Sequence, residues 1–124
     1  MKTLIAFLAV LLWSGLAVAQ HSHSHGAKGP SGGPMQDIVG VHAELVISGN
    51  TVTINLLDEA NKPTSTKGFS GSVLIAAGGN RETVQLAVSG DSALKGEAKA
   101  AIPAGAVVTL VLKNAAGKSG QVKF

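Results

Sequence analysis

The chain contains no cysteine and no tyrosine, and it has only one tryptophan and three phenylalanines. Each shortage closes something off. Without thiolates, any metal site must use imidazole, carboxylate or other nitrogen and oxygen donors, and no disulfide can stand in for a packed core. Trp13 and Phe7 both fall within residues 1–19, so a chain starting at Gln20 keeps only Phe69 and Phe124. That excludes an aromatic platform on which bases or sugars could stack. Charge is also sparse: the formal net value of +3 falls to +2 once Lys2 is removed, and the lysines are scattered from Lys28 to Lys123. So small and dispersed an excess makes no stripe for nucleic acid or for an anionic membrane.

What is present begins with a tripartite leader. Lys2 supplies a basic start, Leu4 to Trp13 an apolar run, and Ala17-Val18-Ala19 small residues at −3 and −1 of a cut before Gln20. The pattern predicts a cleaved signal peptide over residues 1–19. An uncleaved anchor is the competing reading, but the apolar run falls well short of the ~20 residues a spanning helix needs, and Ser14 and Gly15 interrupt it. No membrane span is therefore expected after cleavage.

Next comes QHSHSHG, Gln20 to Gly26, with three of the four histidines. Residues 20–36 are rich in His, Ser, Gly and Pro, too poor in apolar side chains to offset the entropy of ordering, and read as a flexible tail. Residues 37–124 read as one β domain. Val41, Ala43, Leu45 and Ile47 alternate with His42, Glu44, Val46 and Ser48; Gly49-Asn50 makes a turn; Val52, Ile54 and Leu56 then alternate with threonines and Asn55. Further strands are expected over Phe69 to Ala77 and around Val84 to Val88, joined by a Gly78-Gly79-Asn80 turn. Ala93 to Ile102 contains good helix formers, yet Lys95, Glu97 and Lys99 fall on one face at period two, which favours a strand. Val107 to Leu112 is apolar on both faces and reads as a central strand covered twice, and Gln121 to Phe124 closes the sheet. About seven short strands between Gly, Asn, Asp and Pro turns indicate an all-β, antiparallel, immunoglobulin-like sandwich, with a small β-barrel as the alternative.

The candidate chemistry is metal binding. His21, His23 and His25 recur every second residue, so in an extended chain their imidazoles project to one side about 7 Å apart, and the intervening serines allow the backbone to curl around an ion. Imidazole nitrogen suits Cu(II), Zn(II) and Ni(II), and the free amine of Gln20 adds a nitrogen unless the glutamine cyclises. The amine-plus-amide Cu(II) motif, which needs histidine third, is excluded because His21 would be second. His42 and Glu44 share a strand face and, with Met35 or the tail, could complete a His/carboxylate site; the plainer alternative is a solvated face. Asp58, Glu59 and Asn61 lack the order and the acidic twelfth position of a calcium loop and read as turn residues. Gly78-Gly79 lacks the ending of a phosphate loop, and no nucleophile elbow or HExxH frames the Ser, His and Asp residues. No enzyme is expected.

The run GGPMQDIVGVHAELVISGNTVTINLLDEANKPTSTKGFSG resembles a family of small exported proteins of Gram-negative bacteria in which a His-Gly segment follows the signal. The likeness rests on GGP, on Glu44-Leu45-Val46, on Asp58 with Lys62-Pro63, and on Thr66-Lys67-Gly68. The resemblance implies a periplasmic accessory to heavy-metal efflux, with an envelope efflux or metal-trafficking protein as partner. The expected function is therefore buffering or delivery of a transition metal, Cu or Zn. Its rivals are a structural or protein-interaction module of the envelope and, less directly, a pH-dependent histidine contact.

Overall fold

The computed structural model describes residues 27–124, and these contain eight antiparallel strands and no helix. They are β1 (Met35–Ile38), β2 (Val41–Ser48), β3 (Thr51–Leu57), β4 (Ser70–Ala77), β5 (Asn80–Ser89), β6 (Ala93–Glu97), β7 (Val107–Lys113) and β8 (Ser119–Lys123). Their order is β1-β2-β3-β6-β5-β4-β7-β8, a single continuous sheet.

The sheet makes two layers because β5 changes partner along its length. Its first residues pair with β4, from Ala77↔Asn80 to Gly71↔Leu86, and its last with β6, from Ala87↔Lys95 to Ser89↔Ala93. A strand that switches in this way forms the corner of a folded sheet. The first layer is then β1, β2, β3, β6 and the end of β5; the second is the start of β5 with β4, β7 and β8. Leaving β1 aside, the neighbours β2-β3-β6-β5 and β4-β7-β8 reproduce the two sheets of immunoglobulin-like connectivity. The free edges also approach each other, which brings the sandwich close to a barrel. Gln36 Nε2 on β1 donates to the Lys123 carbonyl of β8 at 3.2 Å, and a side chain at Gly120 would strike Val39 and Ile38.

One core fills the interior. Ile54, Leu94, Leu110 and Leu112 are fully enclosed, with Val52, Leu56, Val73 and Val108 beside them, all on the inward parity of their strands. Hairpin turns fix that parity: Gly49-Asn50 joins β2 to β3 and Gly78-Gly79 joins β4 to β5, each a two-residue loop.

Three expectations change. The tail does not run to residue 36, because residues 27–34 are hydrogen-bonded into the domain and β1 begins at Met35. That short strand is closed onto β2 by Val39-Gly40, both at positive φ (41° and 84°). A β-branched residue rarely accepts such a φ, and here Val39 packs against the core. The strand expected to reach Ile102 ends at Glu97, since the chain then loops, with Ala98 N and Ile102 N donating to Asn50 O and Gly49 O. Finally, β7 is central but not covered twice. Val108, Leu110 and Leu112 are buried, whereas Val107 and Val111 are 40% and 41% exposed.

Candidate functional site

Residues 27–34 form a strap on the first layer. Met35 N donates to Ala27 O, Gly29 N to Gly33 O and Gly32 N to Gly29 O, while Pro34 O accepts from Leu45 N of β2 at 3.0 Å. The strap is held down by Glu44, whose side chain leaves the outer face of β2 and is 0% exposed. One carboxylate oxygen accepts from Ser31 N at 2.8 Å and Gly33 N at 3.0 Å; the other accepts from Asn55 Nδ2 of β3 at 3.2 Å. All three partners are N–H donors, so the carboxylate acts purely as an acceptor. That is how it tolerates burial with no ion-pair partner among the described residues. Space is as demanding as hydrogen bonding. A Cβ on Gly33 would overlap the Leu45 carbonyl, and one on Gly29 would overlap the Glu44 carboxyl carbon.

The solvated face expected for His42 and Glu44 is thus corrected at Glu44, and the reason is non-local: amides from a segment read as tail cover it. The two side chains do share a face, but each has its own partner. His42 Nδ1 pairs with Asp37 Oδ1 across the β1–β2 ladder, His42 being 25% and Asp37 79% exposed. Asp37 escaped the sequence reading; the signal available was an Asp and a His symmetrically flanking Val39-Gly40, which places them opposite each other in a hairpin. Met35, opposite Glu44, is buried. Among the described residues, no cluster of three or more His, Asp or Glu side chains forms. His21, His23 and His25 lie outside the described residues.

Chemically, a carboxylate that engages Nδ1 orients an imidazole and leaves Nε2 for a ligand, the arrangement that commonly backs a metal-binding histidine. Ala27, where the described chain begins, is hydrogen-bonded to Met35, two residues from Asp37 on the same strand. His25 is two residues before Ala27, a reach of roughly 7 Å.

The remaining motif residues build turns, as expected for Asp58 to Asn61. Asp58 Oδ1 accepts from Ala60 N and Lys62 N, with Asn61 at φ 60°. Thr66 is buried and donates through N and Oγ1 to Asp91 O, and Gly68 packs against Ala115. These contacts tie the β3–β4 loop to the β5–β6 and β7–β8 turns at one end of the sandwich. At the other end an open groove of about 720 Å³ lies between the β4–β5 turn and the loop 98–106, lined by Ile75, Ile102 and several alanines, with Arg81 at its margin. Among the described residues, no helix is long and apolar enough to cross a membrane. Comparison with protein-family models, with curated proteins and with solved structures found no match for this chain.

Proposed function

We propose that this is a periplasmic transition-metal-binding accessory protein that takes Cu or Zn on the histidine segment His21, His23 and His25, with His42 as a further ligand. The carrying observation is one of placement. A segment with three histidines in five residues is joined to a strap fixed on the face that also bears the Asp37-oriented imidazole of His42. Tethering of this kind raises the effective concentration of the segment's imidazoles around His42. Glu44 is an anchor and not a ligand: its oxygens hold the strap, and so set where the segment starts. The domain is the carrier, and the sequence resemblance to exported heavy-metal accessories points to an envelope efflux or metal-trafficking protein as recipient. No catalytic role is assigned.

The test is calorimetric titration of Cu(II) and Zn(II) into the chain from Gln20, into the chain from Ala27, and into the longer chain carrying His42→Ala. Loss of the segment is expected to weaken binding by about a hundredfold, and His42→Ala by about tenfold, or ~1.4 kcal/mol. Equal isotherms for the two chain lengths would overturn the assignment. A second reading, a protein-interaction module, is favoured by a different observation, the exposed valines of β7.

A further inference from the structure

We propose that the outer face of the second layer is a docking surface for a protein whose own surface sets aliphatic side chains inside an acidic rim. This stands independently of metal binding. The strand registers lay the face out in rows: Ala76 sits between Arg81 and Val107, Leu74 between Thr83 and Thr109, and Ser72 between Gln85 and Val111. Lys123 stands beside Thr109 on β8, and Lys113 continues β7 one row further. Val107 and Val111 stand exposed on β7 either side of Thr109, Leu74 and Ala76 lie half-buried beside them on β4, Thr83, Gln85 and Ser72 make the rest of these rows polar, and three cations mark the margins.

No acid shares that parity. Glu82, the acid on β5, alternates away from Arg81 and Thr83 and accepts from Lys99 N. The outer face of the first layer carries Asp37, Glu44 and Glu97 instead. Nor do the three cations have an ion-pair partner among the described residues, where the ion pair formed is that of His42 with Asp37. Complementary charge across an interface steers encounter and rejects wrong partners.

Self-pairing is disfavoured by the same charges, because a two-fold contact would set cations against cations. A lipid surface fits poorly, since the exposed apolar groups are short valines flush with a flat sheet, with no aromatic side chain on that face to enter the acyl boundary. Four strands ~4.8 Å apart and three rows ~7 Å apart span roughly 300 Å². That is less than half of the ~800 Å² per partner of a standard stable interface, so the contact is transient and salt-sensitive.

The test uses ¹⁵N-labelled protein and two short soluble peptides, one alternating valine with glutamate and the other valine with lysine, together with vesicles of phosphatidylglycerol and phosphatidylcholine. The glutamate peptide is expected to shift the amides of Leu74, Ala76, Val107 and Val111, and to bind about tenfold more weakly at high salt. The double variants Arg81→Glu/Lys123→Glu and Val107→Ser/Val111→Ser, each checked for an unchanged fold by circular dichroism, are each expected to weaken it by about tenfold or more. Absence of binding, equal binding of both peptides, shifts on the first layer, vesicle binding without peptide binding, or undiminished binding by the charge-reversed variant would each overturn the proposal.

Discussion

On the outside of the first layer a carboxylate is sealed from water, while on the outside of the second two valines stand open to it. Glu44 is 0% exposed and Val111 is 41% exposed, although simple polarity would have reversed them. Both residues obey the two-residue period of a strand, and both point away from the core. The difference lies in what arrives from elsewhere in the chain. A strap of Gly, Ser and Pro lends its amides to Glu44, and nothing among the described residues covers Val111. Alternation thus determines which side of a sheet a residue faces, but a distant segment determines whether that side is solvent.

Replacement of the carboxylate disturbs the first layer most. Glu44→Ala leaves Ser31 N, Gly33 N and Asn55 Nδ2 without their acceptor, and is expected to cost about 3 kcal/mol, read from the denaturant midpoint, with loss of hydrogen-exchange protection at Ser31 and Gly33. Glu44→Gln should cost less, since one carbonyl oxygen can still accept. Gly33→Ala attacks the same strap from the backbone side; its Cβ would meet the Leu45 carbonyl, and a loss of about 2 kcal/mol is expected in the same assay. On the opposite face, Val111→Thr should change stability by no more than about 0.5 kcal/mol, because the side chain is already solvated. A large loss there would mean that the second layer is covered after all.

Much of this architecture was legible. The β2–β3 hairpin announced itself through strict alternation on either side of Gly49-Asn50, and the β4–β5 hairpin through the Gly78-Gly79-Asn80 turn between two apolar stretches, both local signals. The inward set of the first hairpin was legible for the same reason, with Ala43, Leu45, Val52, Ile54 and Leu56 all buried, although Ile47, at the end of the same alternation, is 38% exposed. The exceptions share a non-local cause. β1 is four residues long, too short for a period to register, and owes its existence to pairing with β2. The strap has the composition of a flexible linker and is ordered by a side chain 11 to 13 residues further on. β7 read as doubly covered because Val107 and Val111 are apolar, but an apolar residue on a strand says nothing about whether a partner layer exists. As for the candidate site, His42 and Glu44 were correctly placed on one face, whereas the Asp37 partner and the anchoring role of Glu44 depended on a hairpin and a strap that the composition concealed.

The latch over Glu44 also spans the chain in time of synthesis. Its carboxylate is fully engaged only when Glu44 and Asn55 stand side by side on the paired β2 and β3, with the strap on its other oxygen. The strap residues are synthesised before either strand, yet their anchor is supplied by strands that follow them. The amino-terminal end of the domain is thus made first and secured by what is made after it.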